Sequence, residues 1–281
     1  MELWIAPKLT GGLGNRLFQY AAAAGLAERS KRRLVFFLPV CKETGHGDFN
    51  NIFNLFPDVP LISEGAEWLH LDEEIKDLYT FIPFSELPEN TQTVLTGYRQ
   101  SFMYFPKTDI HLNFESALGV ARCLEISRTI PQPETTWFLH VRLGDFLKMR
   151  HHYVNLENYY RLCVSQIPRG HTLILFSDNV ESCCEKYAIY CEIQGLNFIT
   201  SVYENELESL YLMSLCKGGA ILANSTFSWW GGYLAHQNGS QRVFYPNVWG
   251  EGLPQPTHLI PPWGFVVDVK SLSVFHYTYG K

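Results

Sequence analysis

The chain has 281 residues and a formal net charge of −6, long enough for one large domain or two of ordinary size with a sizeable core. Hydrophobic content of 46% against 18% charged residues excludes a disordered or fibrous chain. The acidic balance also excludes a nucleic-acid binder that works by bulk phosphate neutralisation, so an anionic ligand has to be small and held by a few placed cations.

The run LWIAPKL, the turn GGLGN and the alanine-rich RLFQYAAAAGLAER predict strand, glycine turn and helix, and RLVFFLPV predicts a second strand. From about 41 to 105 the pattern is irregular, rich in aromatics and prolines, and fits loops and short elements around a smaller sheet. A helical stretch near 113–127 leads to PQPETT at 131–136, the best linker candidate, which divides the chain into domains 1–133 and 134–281. Beyond it the alternation is regular: strand TWFLHVRLG, a helix at 155–166, strand HTLILFSDN, a helix at 180–189, strand LNFITS, helix ELESLYLMSLC, strand GAILAN, helix FSWWGGYLAHQ and strand RVFYP. This is the pattern of a doubly wound parallel sheet. The expected fold is therefore α/β, with two Rossmann-like domains facing a central cleft and ligands at the carboxyl ends of strands.

The seven cysteines are scattered and form no Cys-x-x-Cys, so they read as reduced and buried. No segment approaches about 18–20 consecutive apolar residues, and the first residues lack a basic stretch followed by an apolar one. A cytoplasmic protein without a transmembrane anchor is expected.

Three short stretches fall at strand ends: Gly11-Gly12-Leu13-Gly14-Asn15, His140-Val141-Arg142-Leu143-Gly144-Asp145 and Asn224-Ser225-Thr226-Phe227-Ser228. The first is either a ligand-approaching turn or a plain tight turn with Asn15 as helix N-cap. It lacks the third glycine of a dinucleotide fingerprint and the Lys-Ser/Thr of a P-loop. Arg142 can meet a diphosphate with two parallel hydrogen bonds, or pair structurally with Asp145. His140 lies two residues deeper on the same strand face, a structural position. Ser225 and Thr226, opening a helix, offer backbone N–H groups, two hydroxyls and the positive end of the helix dipole to an anion. The plainer alternative is an N-cap followed by core tryptophans. Ser177-Asp178-Asn179 is either a nucleoside contact or an Asx-turn. There is no Asp-x-Asp and no His-x-x-x-His, so no metal site is expected and a diphosphate would rely on Arg142, helix ends and hydroxyls.

GGLGNRLFQYA at 11–21, GYRQSFMYF at 97–105, HVRLGD at 140–145, LFSDN at 175–179 and LYLMSLCKGGAILANSTFSWWGGYL at 210–234 resemble, in order and spacing, the motifs of the α-1,2-fucosyltransferase family. The HxRxGD element is shared with α-1,6- and protein O-fucosyltransferases, whereas NSTFSWW is characteristic of the α-1,2 family. The resemblance implies a GT-B fold, transfer of L-fucose with inversion from GDP-β-L-fucose to the 2-hydroxyl of a β-galactoside, and neither cofactor nor metal. It implies donor binding mainly by the C-terminal domain and acceptor binding mainly by the N-terminal one. By position, Arg142 resembles the family's diphosphate-binding arginine, with Asp145 as its motif partner and the carboxylate suited to act as base. Asn224, Ser225, Thr226, Phe227 and Ser228 resemble the phosphate turn, Ser177 and Asp178 nucleoside contacts, and His140 a further donor-site residue. Asn15, with Gly12 and Gly14, stands where the family approaches the transferred sugar. Two departures stand out: Leu143 replaces a frequent second arginine, and Arg16 a frequent glutamine.

Overall fold

The structure, a computed structural model, describes residues 2–41, 47–65, 68–74, 78–84, 86–144 and 153–279. The chain folds as two compact units. The first comprises Met1–Ala117 with Pro256–Leu259, and the second Leu118–Gln255 with Ile260–Lys281.

In the first unit, β1 (Trp4–Pro7) runs through the Gly11-Gly12 turn into α1 (Leu13–Ser30), followed by β2 (Arg33–Leu34) and β3 (Phe36–Phe37). Then come α2 (Asn51–Leu55), β4 (Leu61–Ile62), β5 (Trp68–Leu71) and β6 (Gln92–Leu95), and α3 (Phe114–Leu118) ends the segment. The sheet has order β2-β1-β6-β5 and is parallel throughout, and β3 pairs with β4 apart from it. α1 is helical because alanines and long unbranched side chains fill it. Ala22, Ala23, Leu26 and Ala27 bury against Ile5, Leu95 and Tyr104. The stretch RLVFFLPV is two strands and not one, since Phe36 turns away to pair with Leu61.

In the second unit, α4 (Val120–Ser127) precedes β7 (Thr136–Val141), α5 (Glu157–Ser165), β8 (Thr172–Ser177), α6 (Cys184–Gln194), β9 (Asn197–Thr200) and α7 (Glu206–Ser214). β10 (Gly219–Ile221), α8 (Thr226–Gln237), β11 (Val243–Pro246), β12 (Phe265–Val267) and β13 (Val274–Phe275) complete it. The sheet order is β13-β12-β11-β10-β7-β8-β9, with only β13 antiparallel to its neighbour. β7 is buried along its whole length, as a central strand covered on both faces must be. The predicted helix at 113–127 is two helices, because Gly119 between them adopts φ 86°. The linker candidate Pro131–Thr136 is bound within the second unit, where the Pro133 carbonyl accepts the N–H groups of Lys217 and Gly218.

The second sheet reverses direction at its centre. From β7 the chain adds β8 and β9 on one side, then crosses back to lay β10, β11 and β12 on the other. At such a point neighbouring connections leave in opposite directions, opening a crevice at the carboxyl ends of the two strands.

Candidate active site

In the second unit the reversal lies between β7 and β10, paired from Gly219–Trp137 to Ile221–Leu139. The residues that follow these strands are Arg142 and Asn224–Ser228. The topology thus gathers two of the three stretches that the sequence singled out.

Register also brings Asp178 to Arg142. β7 and β8 pair through Val141–Ser177, and the next residue on each strand makes the ion pair, Arg142 Nη1 to Asp178 Oδ2 at 3.0 Å. Asp178 Oδ1 accepts the Leu143 N–H at 2.8 Å. A Cβ on Gly144 would stand 2.4 Å from Asp178 Oδ2, so this glycine lets the backbone pass the carboxylate. Asp145, the sequence's choice of base and of partner for Arg142, lies outside the described residues. Asp178 is accordingly a holder of the Arg142 guanidinium, and both its oxygens are engaged. The ion pair is a quarter to a third exposed, so solvent screening makes its contribution to stability small.

His140 is buried, 5% exposed, and its Nδ1 has no hydrogen-bond partner among the described residues. Its ring lies 5.8 Å from that of Phe227 at the start of α8. Burial, reinforced by the Arg142 charge and opposed by Asp178, pushes its pKa down to about 4, so the imidazole is neutral at ordinary pH.

Ser225 occupies the N-cap position of α8 with extended backbone, yet its hydroxyl makes no capping hydrogen bond among the described residues. Ser228 turns its hydroxyl back to accept the Ala223 N–H at 3.0 Å, and Asn224 Nδ2 donates to the Trp249 carbonyl at 3.0 Å. These two side chains hold the turn. Ser225 is left as the hydroxyl at the positive end of a 12-residue helix. Behind the turn Trp229 and Trp230 are fully buried and meet edge to face at 5.3 Å. Cβ atoms on Gly231 and Gly232 would stand 2.7 Å from Met213 Sδ and from Leu222 Cδ1, which explains Trp-Trp-Gly-Gly as close packing of α8 on the sheet. From the other face Tyr159 shares its hydroxyl proton between the Leu222 and Phe244 carbonyls, at 2.9 and 2.8 Å.

The Ser177 hydroxyl accepts the Asn179 N–H at 3.1 Å, and Asn179 Oδ1 accepts from Ser182, so Ser177 to Asn179 forms side-chain-stabilised turns. Leu143, the first departure from the resemblance, packs against the hydrophobic cluster around Trp137 and Leu175.

In the first unit the N-cap of α1 is Gly12, not Asn15. The Gly12 carbonyl accepts the N–H groups of Asn15 and Arg16, which places Gly14 and Asn15 inside the first turn. Asn15 Oδ1 instead accepts from Gln100 Nε2 at 3.0 Å. Arg16, the second departure, is fully buried, donating to the Asp48 carbonyl at 2.9 Å with its guanidinium 5.1 Å from the Phe49 ring centre. Asn15 with Gln100 and Arg142 with Asp178 are therefore local to their own units. Gln100 is invisible to a linear reading because nothing in GYRQSF distinguishes a buried amide from a solvated one.

Among the described residues no group of three or more His, Cys, Asp or Glu side chains is placed to hold a metal ion. Among them, too, no helix is long and apolar enough to cross a membrane.

Two α/β units, each built on a parallel sheet and the second with its polar side chains at a strand reversal, have the architecture of the GT-B fold. Solved structures of this kind resemble the chain. The α-1,6-fucosyltransferase NodZ co-crystallised with GDP is 15% identical, with a TM-score of 0.52 over 82% of this chain and 92% of that one. Fucosyltransferase NodZ from Bradyrhizobium is 13% identical, with a TM-score of 0.51 over the same shares. Residues 64–249 match Glycosyl transferase family 11, and the chain belongs to that family. Among curated proteins, the O-antigen biosynthesis glycosyltransferase WbnK of Escherichia coli is 27% identical, covering 80% of this chain and 88% of its own length. An α-1,2-colitosyltransferase of Escherichia coli is 26% identical over 82% of this chain and 87% of that one.

Proposed function

We propose that the protein transfers L-fucose from GDP-β-L-fucose to the 2-hydroxyl of a terminal β-galactoside, with inversion and without a metal ion. The observation that carries this reading is the convergence of Arg142, fixed by Asp178, and the uncapped Ser225 hydroxyl on one strand reversal of the second unit. That pairing suits a diphosphate: a planar guanidinium for two oxygens, and a helix N-terminus with a hydroxyl for the others.

The chemistry follows from charge. As the bond between the fucose anomeric carbon and the phosphate oxygen breaks, negative charge grows on GDP and positive charge on the sugar. Arg142, Ser225, Thr226 and the N-terminus of α8 stabilise the departing phosphate. Neutral His140, with Nδ1 unmatched among the described residues, adds a polar contact without adding a second cation. Ser177 is the nucleoside contact, whereas Asp178 acts through Arg142. The acceptor hydroxyl attacks the opposite face and loses its proton, for which Asp145 is the carboxylate of the motif.

The relative that transfers colitose supports a second reading, in which the same site takes another nucleotide sugar. One experiment separates the two. Release of GDP or UDP is followed with GDP-fucose, GDP-mannose, a colitosyl donor and UDP-galactose, each with lactose or type 1 and type 2 disaccharides. Acceptor-dependent release of GDP from GDP-fucose above the others is expected. Preferential use of another donor assigns that sugar instead, and no release from any donor makes the protein a carbohydrate-binding relative without turnover.

A further inference from the structure

The second sheet ends in an edge without the usual guards. β9 is its last strand, with no neighbour beyond it among the described residues. The N–H groups of Asn197 and Ser201 donate to the carbonyls of His171 and Leu175, at 2.9 and 2.8 Å. Alternation therefore turns the N–H and C=O groups of Phe198 and Thr200 away from β8, a row of unpaired groups on which another strand can add. Edge strands of proteins that stay single usually carry a charge, a proline or a bulge that blocks such pairing. The run Asn197-Phe198-Ile199-Thr200-Ser201-Val202-Tyr203 has no charged residue, proline or glycine and consists mainly of β-branched and aromatic residues, the types that favour strands. The opposite edge, β13, is two residues long and offers no such run.

Both faces of this edge are apolar. On one, Phe198 packs against the cluster that holds Tyr187 and Cys191 of α6, and a groove between α6 and β9 is lined by Cys184, Glu185, Ala188, Phe198, Ile199 and Thr200. The Ile199 side chain stands on the other face and is 40% exposed, and Val202 just past the strand is 79% exposed. Charges of opposite sign flank the run. At its amino end the Arg169 guanidinium lies against Gly195, where a Cβ would stand 2.9 Å from Nη2. At its carboxyl end comes Glu204, and both charged residues are exposed. A strand that is positive at one end, neutral in the middle and negative at the other complements a copy of itself laid antiparallel.

We propose that β9 pairs with β9 of a second copy of the chain, antiparallel about a two-fold axis at Ile199, which joins two seven-stranded sheets into one. In this register Phe198 and the partner's Thr200 exchange backbone hydrogen bonds, and symmetry repeats the exchange. Ile199 meets its own copy at the closer, non-hydrogen-bonded position, with Cα atoms about 4.5 Å apart. Gly195 falls opposite the partner's Tyr203, which sets Arg169 beside the partner's Glu204 at both ends of the pairing. Glu185, the one charge in the groove, is exposed and screened by solvent. The pairing is short, so the dimer is weak and forms with rising concentration. Nothing in it depends on which sugar the protein transfers.

The test is analytical ultracentrifugation of the full chain over roughly 2–200 μM, with thermal melts as the control for folding. The proteins compared are wild type, Thr200→Pro, Ile199→Lys, Arg169→Glu, Glu204→Arg and the double exchange Arg169→Glu with Glu204→Arg. Thr200→Pro removes an outward N–H and spares the bonds that Asn197 and Ser201 make to the β8 side. Ile199→Lys brings two like charges together at the axis. The charge exchange alters exposed side chains alone, so it reads the pairing even if Thr200→Pro does not fold.

The wild type is expected to show a monomer–dimer equilibrium within this range. Thr200→Pro and Ile199→Lys weaken it at least tenfold and each single charge reversal weakens it several-fold, while the double exchange regains the wild-type dimer constant within about twofold. Three results overturn the proposal: a wild type that stays monomeric throughout, a folded Ile199→Lys protein that dimerises as the wild type does, or a double exchange no better than the single reversals.

Discussion

Replacing Arg142 by alanine separates the proposed catalytic role of this residue from a structural one. In the folded protein its ion pair with Asp178 spans 3.0 Å between side chains 32% and 23% exposed. At that exposure a pair is worth about 0–1 kcal/mol, and Asp178 still accepts the Leu143 N–H after truncation, so its carboxylate is not stranded. Stability therefore changes by about 1 kcal/mol or less. If Arg142 holds the leaving diphosphate, truncation removes charge-assisted hydrogen bonds that strengthen as the phosphate departs, about 3–4 kcal/mol, or roughly 10²–10³ in kcat/KM. The assay is GDP release from GDP-fucose with acceptor in excess, beside thermal melts of both proteins. The role is refuted by a folded Arg142→Ala protein with near wild-type kcat/KM, or by an activity loss that tracks a comparable loss of folded protein.

Other expectations concern the same turn and its neighbours. Ser225→Ala removes a hydroxyl that caps nothing among the described residues, so the melting temperature stays while GDP affinity falls several-fold. Asn205→Ala, whose Oδ1 caps α7 at the Leu207 N–H, costs about 1 kcal/mol of stability and leaves GDP affinity alone. Gly144→Ala drives a Cβ to 2.4 Å from Asp178 Oδ2, and activity falls as the Arg142 pair is displaced, measurable as a higher KM for GDP-fucose. His140 has a native pKa of about 4 against an ordinary value near 6.5. The unfolded chain takes up its proton first, so stability is complete above pH ~6.5 and is lost as pH falls toward 4, by about 3 kcal/mol. Chemical denaturation of wild type and His140→Gln at pH 7 and pH 4.5 checks this, and the variant shows the smaller loss.

The second unit is legible in the sequence because its strands and helices alternate with apolar runs long enough to read. Strands β7, β8, β10 and β11 fall where TWFLHV, LILFS, GAI and VFYP stand. β12 and β13, three and two residues long, lie in aromatic, proline-rich sequence whose lack of alternation hides them. The first unit is legible at β1, α1 and the extended stretch RLVFFLPV that holds β2 and β3, while its remaining strands are short and take their pairing from the sheet. At the site, residue types predict chemistry but not partnership. Arg142 and Asp178 meet through strand register, which a linear reading cannot see; that reading offers only a diphosphate or the neighbouring Asp145 to Arg142, and Asp145 lies outside the described residues. Asn15 looks like a cap because it follows glycines, but the helix begins at Leu13 and the Asn15 side chain serves Gln100. The tryptophans are packing in the sequence reading and in the fold alike, since both are fully buried and meet edge to face beside the closely packed Gly231 and Gly232.

The most direct test of the central claim is calorimetric titration of GDP into the wild-type protein and into Arg142→Ala and Ser225→Ala, with thermal melts as the control for folding. The account predicts GDP binding by the wild type, a fall of at least tenfold for Arg142→Ala and a smaller fall for Ser225→Ala, with all three proteins folded. Equal GDP affinity in the wild type and both folded variants would contradict it.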